Sequence, residues 1–457
     1  MRSFALSELV QPLQAELVGA DVRFESVTTD SRDVCAGQLF VALQGERFDG
    51  HRFLAAVAAE GASAALVAAT AELDASCELP QLQVADTRAA LGRLASLNRQ
   101  YFEGTLMGIT GSCGKTSVKN MLSAICSGHG PTLATRGNFN NEIGVPLTLL
   151  QLQPQHRYAV VEMGAARTGD IAYLCELARP GIAVLLNALP AHLEGFGSVA
   201  NVARAKGEIL SGLAGRGSAV FPHGNEYSAL WRELAGSADC LDFGFDAGAA
   251  VRALNVVTTA EASSFLLQSP LGEVSIELPL PGHHNIANAL AAAAAALAAG
   301  IELPQIAAGL ARTVAESGRL SERVNAAGVS VIDDSYNANP ASAQAAIEVL
   351  AVHPGRRVLV LGTMAELGSD SDALHCETGI YAAAQGIDEL WAVGAHTDEA
   401  VRGFGDGGRW FADRDSLLRE LTASLGEGDV VLVKGSRSAG MEAVVERLML
   451  DPERGED

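Results

Sequence analysis

The chain has 457 residues, of which 48% are hydrophobic and 19% are charged. This length predicts about three domains, and the composition excludes a chain that is disordered throughout. The 32 basic and 54 acidic residues give a formal net charge of −22, which argues against general nucleic-acid binding.

We looked next for a signal peptide, a membrane span and paired cysteines in the sequence. The N-terminus has no basic region followed by an apolar run, so no signal peptide is predicted. The stretch 287–299 is the most apolar and is mostly alanine, but it is shorter than the ~20 residues of a membrane span. We interpret it as a buried helix. The seven cysteines contain no C-x-x-C pair, which predicts a reduced, cytoplasmic protein without structural zinc or a membrane partner.

Strand-like apolar runs alternate with helix-like runs along the chain, which predicts α/β layers with mainly parallel sheets. We divide the chain into a small N-terminal α/β domain at 1–85, a central P-loop-type domain at 86–313 and a doubly wound, Rossmann-like domain at 314–457. Helices are expected at 86–101 and around 206. The strands are expected at 38–43, 64–68, 82–84, 105–109, 158–161, 182–186, 329–332, 357–361, 389–393 and 429–433.

The strand at 105–109 leads into Thr-Gly-Ser-Cys-Gly-Lys-Thr at 110–116. Gly111 and Gly114 allow the backbone to curl, so that amides and the following helix N-terminus form an anion site. Lys115 is expected to reach the β- and γ-phosphates and Thr116 to bind Mg²⁺. The loop departs from the common G-x-x-x-x-G-K-[ST] pattern, because Ile109 stands where the first glycine is usual.

Three further side chains are candidates for a metal site. Glu162 ends the run at 158–162, and ligands of open α/β sheets bind beyond the carboxyl ends of strands. His192 follows the next strand, although a lone histidine is as often structural. Lys206 lies in a plausible helix, and the residues alone favour an ordinary solvated lysine there.

These residues together resemble the Mur ligase family, the ATP-dependent amide-forming enzymes of peptidoglycan synthesis, over nearly the whole chain. The motifs that carry the resemblance are the short loop at 110–116, Asn141 in Asn-Asn-Glu-Ile-Gly, Glu162 in Val-Glu-Met-Gly, Lys206 in Ala-Lys-Gly-Glu, Asn285 and Asn288 in His-Asn-Ile-Ala-Asn, Arg319 after Gly318, and Asp334 in Ile-Asp-Asp-Ser-Tyr.

The resemblance implies ATP as a cosubstrate, two Mg²⁺ ions and a carbamylated Lys206. The implied catalytic residues are Lys115, Lys206 and His192, and the implied metal ligands are Thr116, Glu162, His192 and Lys206. The implied nucleotide contacts are Gly111, Ser112, Cys113, Gly114, Lys115, Thr116, Ser117, Asn285, Asn288, Arg319, Asp334 and Tyr336. The implied contacts to the other substrates are Ser31, Arg32, Gly45, Asp49, Gly50, His51, Asn138, Asn141 and Lys434.

Within the family, the motifs at 333–340, 366–368 and 434–437 resemble those of members that add D-alanyl-D-alanine to UDP-N-acetylmuramoyl-tripeptide. The resemblance therefore implies these small-molecule partners and ATP, and we expect a monomer. Two segments depart from the pattern. Leu189 and Pro190 stand where many relatives have a Gly-Thr pair, and Thr363 stands where relatives often have aspartate.

Three alternatives stay open at this point. In the first, the chain is another ligase of the superfamily, such as a folylpolyglutamate synthase or the diaminopimelate-adding ligase. In the second, it is a P-loop protein that uses nucleotide as a switch or motor. In the third, it is a catalytically dead, wall-associated binding protein, against which the intact Lys115, Thr116, Glu162 and Lys206 argue.

Overall fold

The N-terminal part of the molecule is built on a small sheet. The computed structural model describes residues 1–45, 48–71, 78–191 and 193–450. A five-stranded sheet has the order β2-β7-β6-β5-β4 and is parallel except at β2, while β1 and β3 form a separate pair. The elements are β1 (Phe4–Ala5), α1 (Leu6–Leu13), β2 (Glu16–Val18), β3 (Arg23–Phe24), β4 (Ser26–Thr28), β5 (Gln38–Val41), α2 (Leu54–Ala59), β6 (Ala64–Ala68), β7 (Gln81–Val84) and α3 (Thr87–Arg99).

A nine-stranded sheet forms the centre, in the order β16-β15-β14-β13-β12-β11-β8-β10-β9. Its elements are β8 (Thr105–Thr110), α4 (Lys115–Ser127), β9 (Thr132–Ala134), α5 (Gly144–Leu149), β10 (Tyr158–Glu162), α6 (Asp170–Ala178), β11 (Ile182–Leu185), α7 (Leu193–Phe196), α8 (Val199–Ser211), β12 (Ser218–Pro222), α9 (Ser228–Ala235), β13 (Asp239–Gly244), β14 (Val251–Thr258), β15 (Ser263–Ser269), β16 (Gly272–Leu278), α10 (His283–Ala298) and α11 (Leu303–Leu310).

The middle strands of this sheet are apolar runs because helices cover both faces. One hydrophobic cluster joins Leu106 and Val161 to Ile209 of α8 and continues into the core of the N-terminal sheet. The other joins Met107 and Val160 to α4, α10 and α11. The prediction of a buried alanine-rich helix is confirmed, since the alanines of α10 from 291 to 296 are fully buried.

A six-stranded sheet forms the C-terminal part, in the order β17-β18-β22-β19-β20-β21, with hydrophobic clusters on both faces. Only β17 runs antiparallel to its neighbour. Its elements are β17 (Ser321–Val324), β18 (Ser330–Asp334), α12 (Pro340–Ala351), β19 (Arg357–Gly362), α13 (Ser371–Ala384), β20 (Glu389–Val393), α14 (Thr397–Phe404), β21 (Gly408–Phe411), α15 (Arg414–Ser424), β22 (Val430–Lys434) and α16 (Glu442–Met449).

The α/β fold class with mainly parallel sheets is confirmed, and every predicted strand is present within a few residues of its expected bounds. We did not predict β1 to β4, β9, β12, β13, the antiparallel ribbon β14–β16 or the edge strands β17 and β21 from the sequence. Most of these strands are short or half exposed and carry charged or polar residues, so they lack the apolar runs from which the others were inferred. β12 is an exception, because its middle three residues are buried. Among the described residues, no helix has the length and hydropathy needed to cross a membrane.

Candidate active site

The loop at 111–114 joins the end of β8 to the start of α4, in the middle of the central sheet. Gly114 has φ 81°, which strongly favours glycine, and a Cβ atom there would lie 2.4 Å from Oδ1 of Asn288, which would have to move. Lys115 Nζ donates to the carbonyl of Gly111 at 2.6 Å. Burial lowers the pKa of Lys115, and the nearby charge of Glu162 opposes that shift. The first amides of α4 lie beside a partly buried cation, and together they form an anion site.

Thr116 and Glu162 meet at the carboxyl edge of the sheet. Thr116 Oγ1 donates to Glu162 Oε2 at 3.0 Å, and both side chains are almost fully buried. Asn140 Nδ2 donates to Glu162 Oε1 at 2.7 Å, and the hydroxyl of Thr135 accepts from Glu162 N at 3.0 Å. The carboxylate is thus held in one orientation by its neighbours.

Lys206 lies on α8 and is only 1% exposed. The interpretation as a solvated lysine is therefore wrong. Its pKa is lowered to about 7, first by burial and then by repulsion from Lys115. A large fraction of the amine is consequently neutral and nucleophilic near neutral pH, which is the condition for reaction with carbon dioxide.

A magnesium site fits the donors at this edge of the sheet. Within the described residues, no cluster of three or more histidine, cysteine or acidic side chains has metal-site geometry. Thr116 and Glu162 nevertheless bring a hydroxyl and a carboxylate oxygen together next to an anion site. Mg²⁺ prefers one or two carboxylates completed by substrate phosphates, so this pair suits it. The predicted ligand His192 lies outside the described residues.

The segment that follows β11 is bonded to the phosphate loop. Asn187 Oδ1 accepts from Cys113 N at 3.0 Å, and Asn187 Nδ2 donates to the Cys113 carbonyl at 3.3 Å. Ser112 N donates to the Asn187 carbonyl at 3.3 Å. The hydroxyl of Ser112 donates to the Leu189 carbonyl at 3.1 Å and accepts from Leu189 N at 3.0 Å. Leu189, at which the chain departs from the family pattern, therefore helps to hold the loop in place.

Side chains in and beside the C-terminal sheet line a cavity together with the phosphate loop. The guanidinium of Arg319 lies 4.2 Å from the ring centroid of Tyr336. Lys434 Nζ forms a buried ion pair with Asp334 and donates to the Asn337 carbonyl at 3.0 Å. Burial raises the pKa of Asp334, and the charge of Lys434 opposes the rise.

The C-terminal part also contacts the loop directly. Asn339 caps the N-terminus of α12, where its Oδ1 accepts from Ser342 N at 2.9 Å. Its Nδ2 donates to Cys113 Sγ at 3.3 Å. A second link joins Asn120 of α4 to Glu316, at 2.9 Å. The loop is therefore bonded both to Asn187, which follows β11 of the central sheet, and to Asn339 of the C-terminal part.

Two cavities include the loop in their lining. Ser112, Cys113 and Gly114 line both of them, as do Arg319 and Tyr336. The smaller cavity, of about 260 Å³, is also lined by Ser117, Asn285, Asn288, Asp334 and Lys434. The larger cavity, of about 710 Å³, is also lined by Lys115, Thr116, Glu162, Asn138 and Asn141. Two cavities that could each take a ligand therefore meet at the loop.

The two predicted adenine contacts are ordered by the backbone near α10. Asn285 Nδ2 donates to the Pro281 carbonyl at 2.8 Å, and Asn288 Nδ2 donates to Asn285 Oδ1 at 3.4 Å. His284 lies beside them in the smaller cavity. Its pKa is lowered to about 4 by burial and by the charges of Lys434 and His283, so its ring is neutral at pH 7.

The predicted residues of the N-terminal sheet are held by local bonds. The guanidinium of Arg32 forms two hydrogen bonds with Asp30, at 2.9 and 2.7 Å, and the neighbouring Ser31 is partly exposed. His51 Nδ1 lies 2.6 Å from Asp49 Oδ1, and His51 Nε2 accepts from Ala68 N at 2.9 Å.

Both ring nitrogens of His51 are thus engaged within the domain, so its side chain shapes the turn. The turn includes two glycines. Gly50 packs where a Cβ would lie 3.0 Å from the backbone of Leu43, and Gly45 N donates to the Phe48 carbonyl at 2.8 Å. Their contacts to substrate stay predictions.

The sequence missed three amides that matter to the site. Asn140 orients Glu162, Asn187 binds the loop at Cys113, and Asn339 reaches Cys113 from the C-terminal sheet. Asn187 carried a usable signal, because it directly follows a strand whose carboxyl end faces the site. Asn339 carried none of this kind, since its partner is 226 positions away.

Three family models match the chain. They are described as "Mur ligase family, catalytic domain" at residues 23–99, "Mur ligase middle domain" at 109–296 and "Mur ligase, glutamate ligase domain" at 318–437. The chain is 48% identical over 453 residues to the UDP-N-acetylmuramoyl-tripeptide–D-alanyl-D-alanine ligase of Escherichia coli (strain K12), covering 98% of this chain and 99% of that relative.

Two solved structures are similar along the chain. A crystal structure of MurF from Acinetobacter baumannii has a TM-score of 0.92 and 37% identity, covering 98% of this chain and 99% of that one. A structure of MurF ligase from Thermotoga maritima in complex with ADP has a TM-score of 0.82 and 29% identity, covering 93% and 97%.

Proposed function

The chain belongs to the Mur ligase family, and from that premise we infer that it is the ATP-dependent ligase that joins D-alanyl-D-alanine to UDP-N-acetylmuramoyl-tripeptide. The full-length similarity to a ligase of that name carries the assignment. The phosphate loop between two cavities agrees with it, because the reaction must bring a nucleotide and an acyl donor to one phosphoryl group.

The chemistry requires activation of a carboxylate, which is a poor acyl donor because its leaving group would be oxide. An oxygen of the tripeptide carboxylate attacks the γ-phosphorus of ATP, the bond to ADP breaks, and an acyl phosphate forms. The amine of the dipeptide then attacks the acyl carbon. The tetrahedral intermediate collapses with loss of a proton and inorganic phosphate, which leaves the amide. Positioning and charge neutralisation are the main tasks left to the protein.

We assign the 260 Å³ cavity to ATP and the 710 Å³ cavity to the acyl donor. Lys115 and the first amides of α4 bind the phosphates that lie between the cavities. Asn285 and Asn288 bind the adenine, while Arg319 and Tyr336 approach the nucleotide from the C-terminal domain. Asn138 and Asn141 contact the acyl donor. Its uridine part binds within the N-terminal domain to Ser31, Arg32, Gly45, Asp49, Gly50 and His51.

Magnesium fits this scheme at Thr116 and Glu162. When bound, it neutralises phosphate charge that would otherwise repel the incoming carboxylate. We propose that Lys206 is carbamylated and, with His192, holds a second ion. Carbamylation converts a buried amine, which repels Lys115, into an anionic oxygen donor.

The proposed domains are 1–85 for the UDP-linked substrate, 86–313 for ATP and 314–457 for completing the site. Approach of the C-terminal domain excludes water from the acyl phosphate. The substrates are small molecules, so the proposal includes no nucleic-acid or membrane partner. A cytoplasmic location suits the use of ATP, and the six described cysteines are free thiols.

The assay that tests the function measures ADP release with UDP-N-acetylmuramoyl-tripeptide, with and without D-alanyl-D-alanine. We expect ADP release to depend on the dipeptide and to match the amount of nucleotide pentapeptide formed. Diaminopimelate with the corresponding nucleotide dipeptide, and glutamate with a folate, serve as control acceptor pairs. ADP release that ignores the dipeptide would contradict the assignment.

A further inference from the structure

The loop at 111–114 is short, and its shape decides which amides face the phosphates. Two of its amides donate to Asn187. Ser112 N donates to the main-chain carbonyl of Asn187, and Cys113 N donates to its side-chain oxygen. The amides at the start of α4 have no partner within the helix. We propose that Asn187 is a positioning residue for ATP, which fixes the peptide groups around Cys113 so that the amides from Gly114 onward point at the phosphates.

The geometry at Asn187 supports this role more than that of a general loop contact. Its amide both accepts from Cys113 N and donates to Cys113 O, at 3.0 and 3.3 Å, so one side chain fixes both peptide groups of a single residue. Few side chains offer a donor and an acceptor in one plane at this spacing. Neither aspartate nor leucine can make both bonds.

The position of Cys113 explains why its orientation matters. This residue lines both cavities, and its sulfur accepts from Asn339 of the C-terminal domain at 3.3 Å. Rotation of either peptide group at Cys113 would also turn the N-terminus of α4 and Gly114, whose backbone is packed against Asn288. Fixing this residue therefore fixes the adenine side and the phosphate side of the site together.

The experiment compares Asn187→Ala with Asn225→Ala. Asn225 is also partly buried in a turn of the central domain, and its Oδ1 accepts from Tyr227 N at 2.7 Å, so its variant loses a similar bond away from the loop. Calorimetry with Mg-ADP measures binding without requiring turnover. We expect Asn187→Ala to weaken binding about tenfold, as loss of one or two hydrogen bonds implies, and Asn225→Ala to leave it unchanged.

Two further readouts separate positioning from folding. Amide hydrogen exchange of a peptide that covers 110–116 should rise in Asn187→Ala and not in Asn225→Ala. The KM for ATP should increase more than the KM for the UDP-linked substrate. Asn187→Asp is isosteric and keeps an acceptor for Cys113 N, but it places a carboxylate oxygen against the Cys113 carbonyl, so it should also weaken Mg-ADP binding.

The proposal rests on the proposed function only for the identity of the nucleotide, and the two fail differently. If the wild type does not bind Mg-ADP, the proposed function fails. If the wild type binds Mg-ADP and both Asn187 variants bind it equally well with unchanged exchange at 110–116, the positioning role of Asn187 is overturned and the ligase assignment stands.

Discussion

Lys206 shows how strongly one residue depends on its surroundings. The local sequence favours a solvated lysine, but packing of α8 against the central sheet buries the side chain almost completely. An uncompensated buried ammonium is costly, so its pKa falls. The residues that neighbour Lys206 in the sequence do not indicate that it is buried. Only the resemblance to the Mur ligase family singled it out.

We predict that Lys206→Ala abolishes ligation and that short carboxylic acids partly restore it. The reason is that an added carboxylate can occupy the space of the carbamate. Because the pKa of Lys206 is lowered to about 7, protonation at lower pH blocks carbamylation. Wild-type activity should therefore fall as the pH drops below about 7. Dipeptide-dependent ADP release at several pH values, with and without bicarbonate, measures both effects. Full activity of the variant without added acid would rule out the carbamate.

Thr116 provides a second test at this scale. Its hydroxyl touches Glu162 and faces the larger cavity. We predict that Thr116→Ala lowers Mg²⁺-dependent turnover by about 10²-fold or more, the range for losing one well-placed electrostatic group. Binding of the UDP-linked substrate should weaken less than turnover does. Thr135→Ser, which keeps the hydroxyl that bonds Glu162 N, is a matched control. Equal losses in turnover and in UDP-substrate affinity would contradict the assignment of Thr116.

Most strands buried on both faces were predictable from the sequence, although β12 was missed, and the edge strands β17 and β21 were not predictable. β8, β10, β19 and β22 are apolar runs because helices cover both sides of their sheets. β17 carries Ser-Glu-Arg-Val and is mostly exposed at an edge, so its strand conformation follows from pairing with β18 rather than from its own sequence. The candidate site shows a similar limit. Glu162 was predicted because it ends an apolar strand, whereas no local sequence pattern indicated Asn339.

The contact between α11 and α4 gives a prediction at the element scale. A Cβ at Gly309 would lie 2.5 Å from Ile125 Cα, which is main chain and cannot rotate away. Gly309→Ala should therefore destabilise the protein by about 1–3 kcal/mol, as overpacked cores do. Urea unfolding measures this. Gly426→Ala is the control, because nothing lies within 4 Å of its Cβ position. A Gly309→Ala variant as stable as the control would refute the tight packing of these helices.

At the scale of the whole molecule, the net charge of −22 sets solution behaviour. Like charges repel and oppose self-association. We predict a monomer at pH 7.5 in sedimentation velocity experiments. Association should begin as the pH approaches about 4, where carboxylates lose their charge. A concentration-dependent dimer at pH 7.5 would contradict the proposed monomer.

The backbone of Ser112, Cys113 and Gly114 lines both cavities. A ligand that shifts this loop from one cavity also changes the shape of the other. Such a ligand alters affinity in the other cavity by a coupling factor that is the same whichever ligand is titrated first. An inhibitor seated in the larger cavity would accordingly have a potency that varies with cellular ATP, and a screen without nucleotide would rank such compounds in the wrong order.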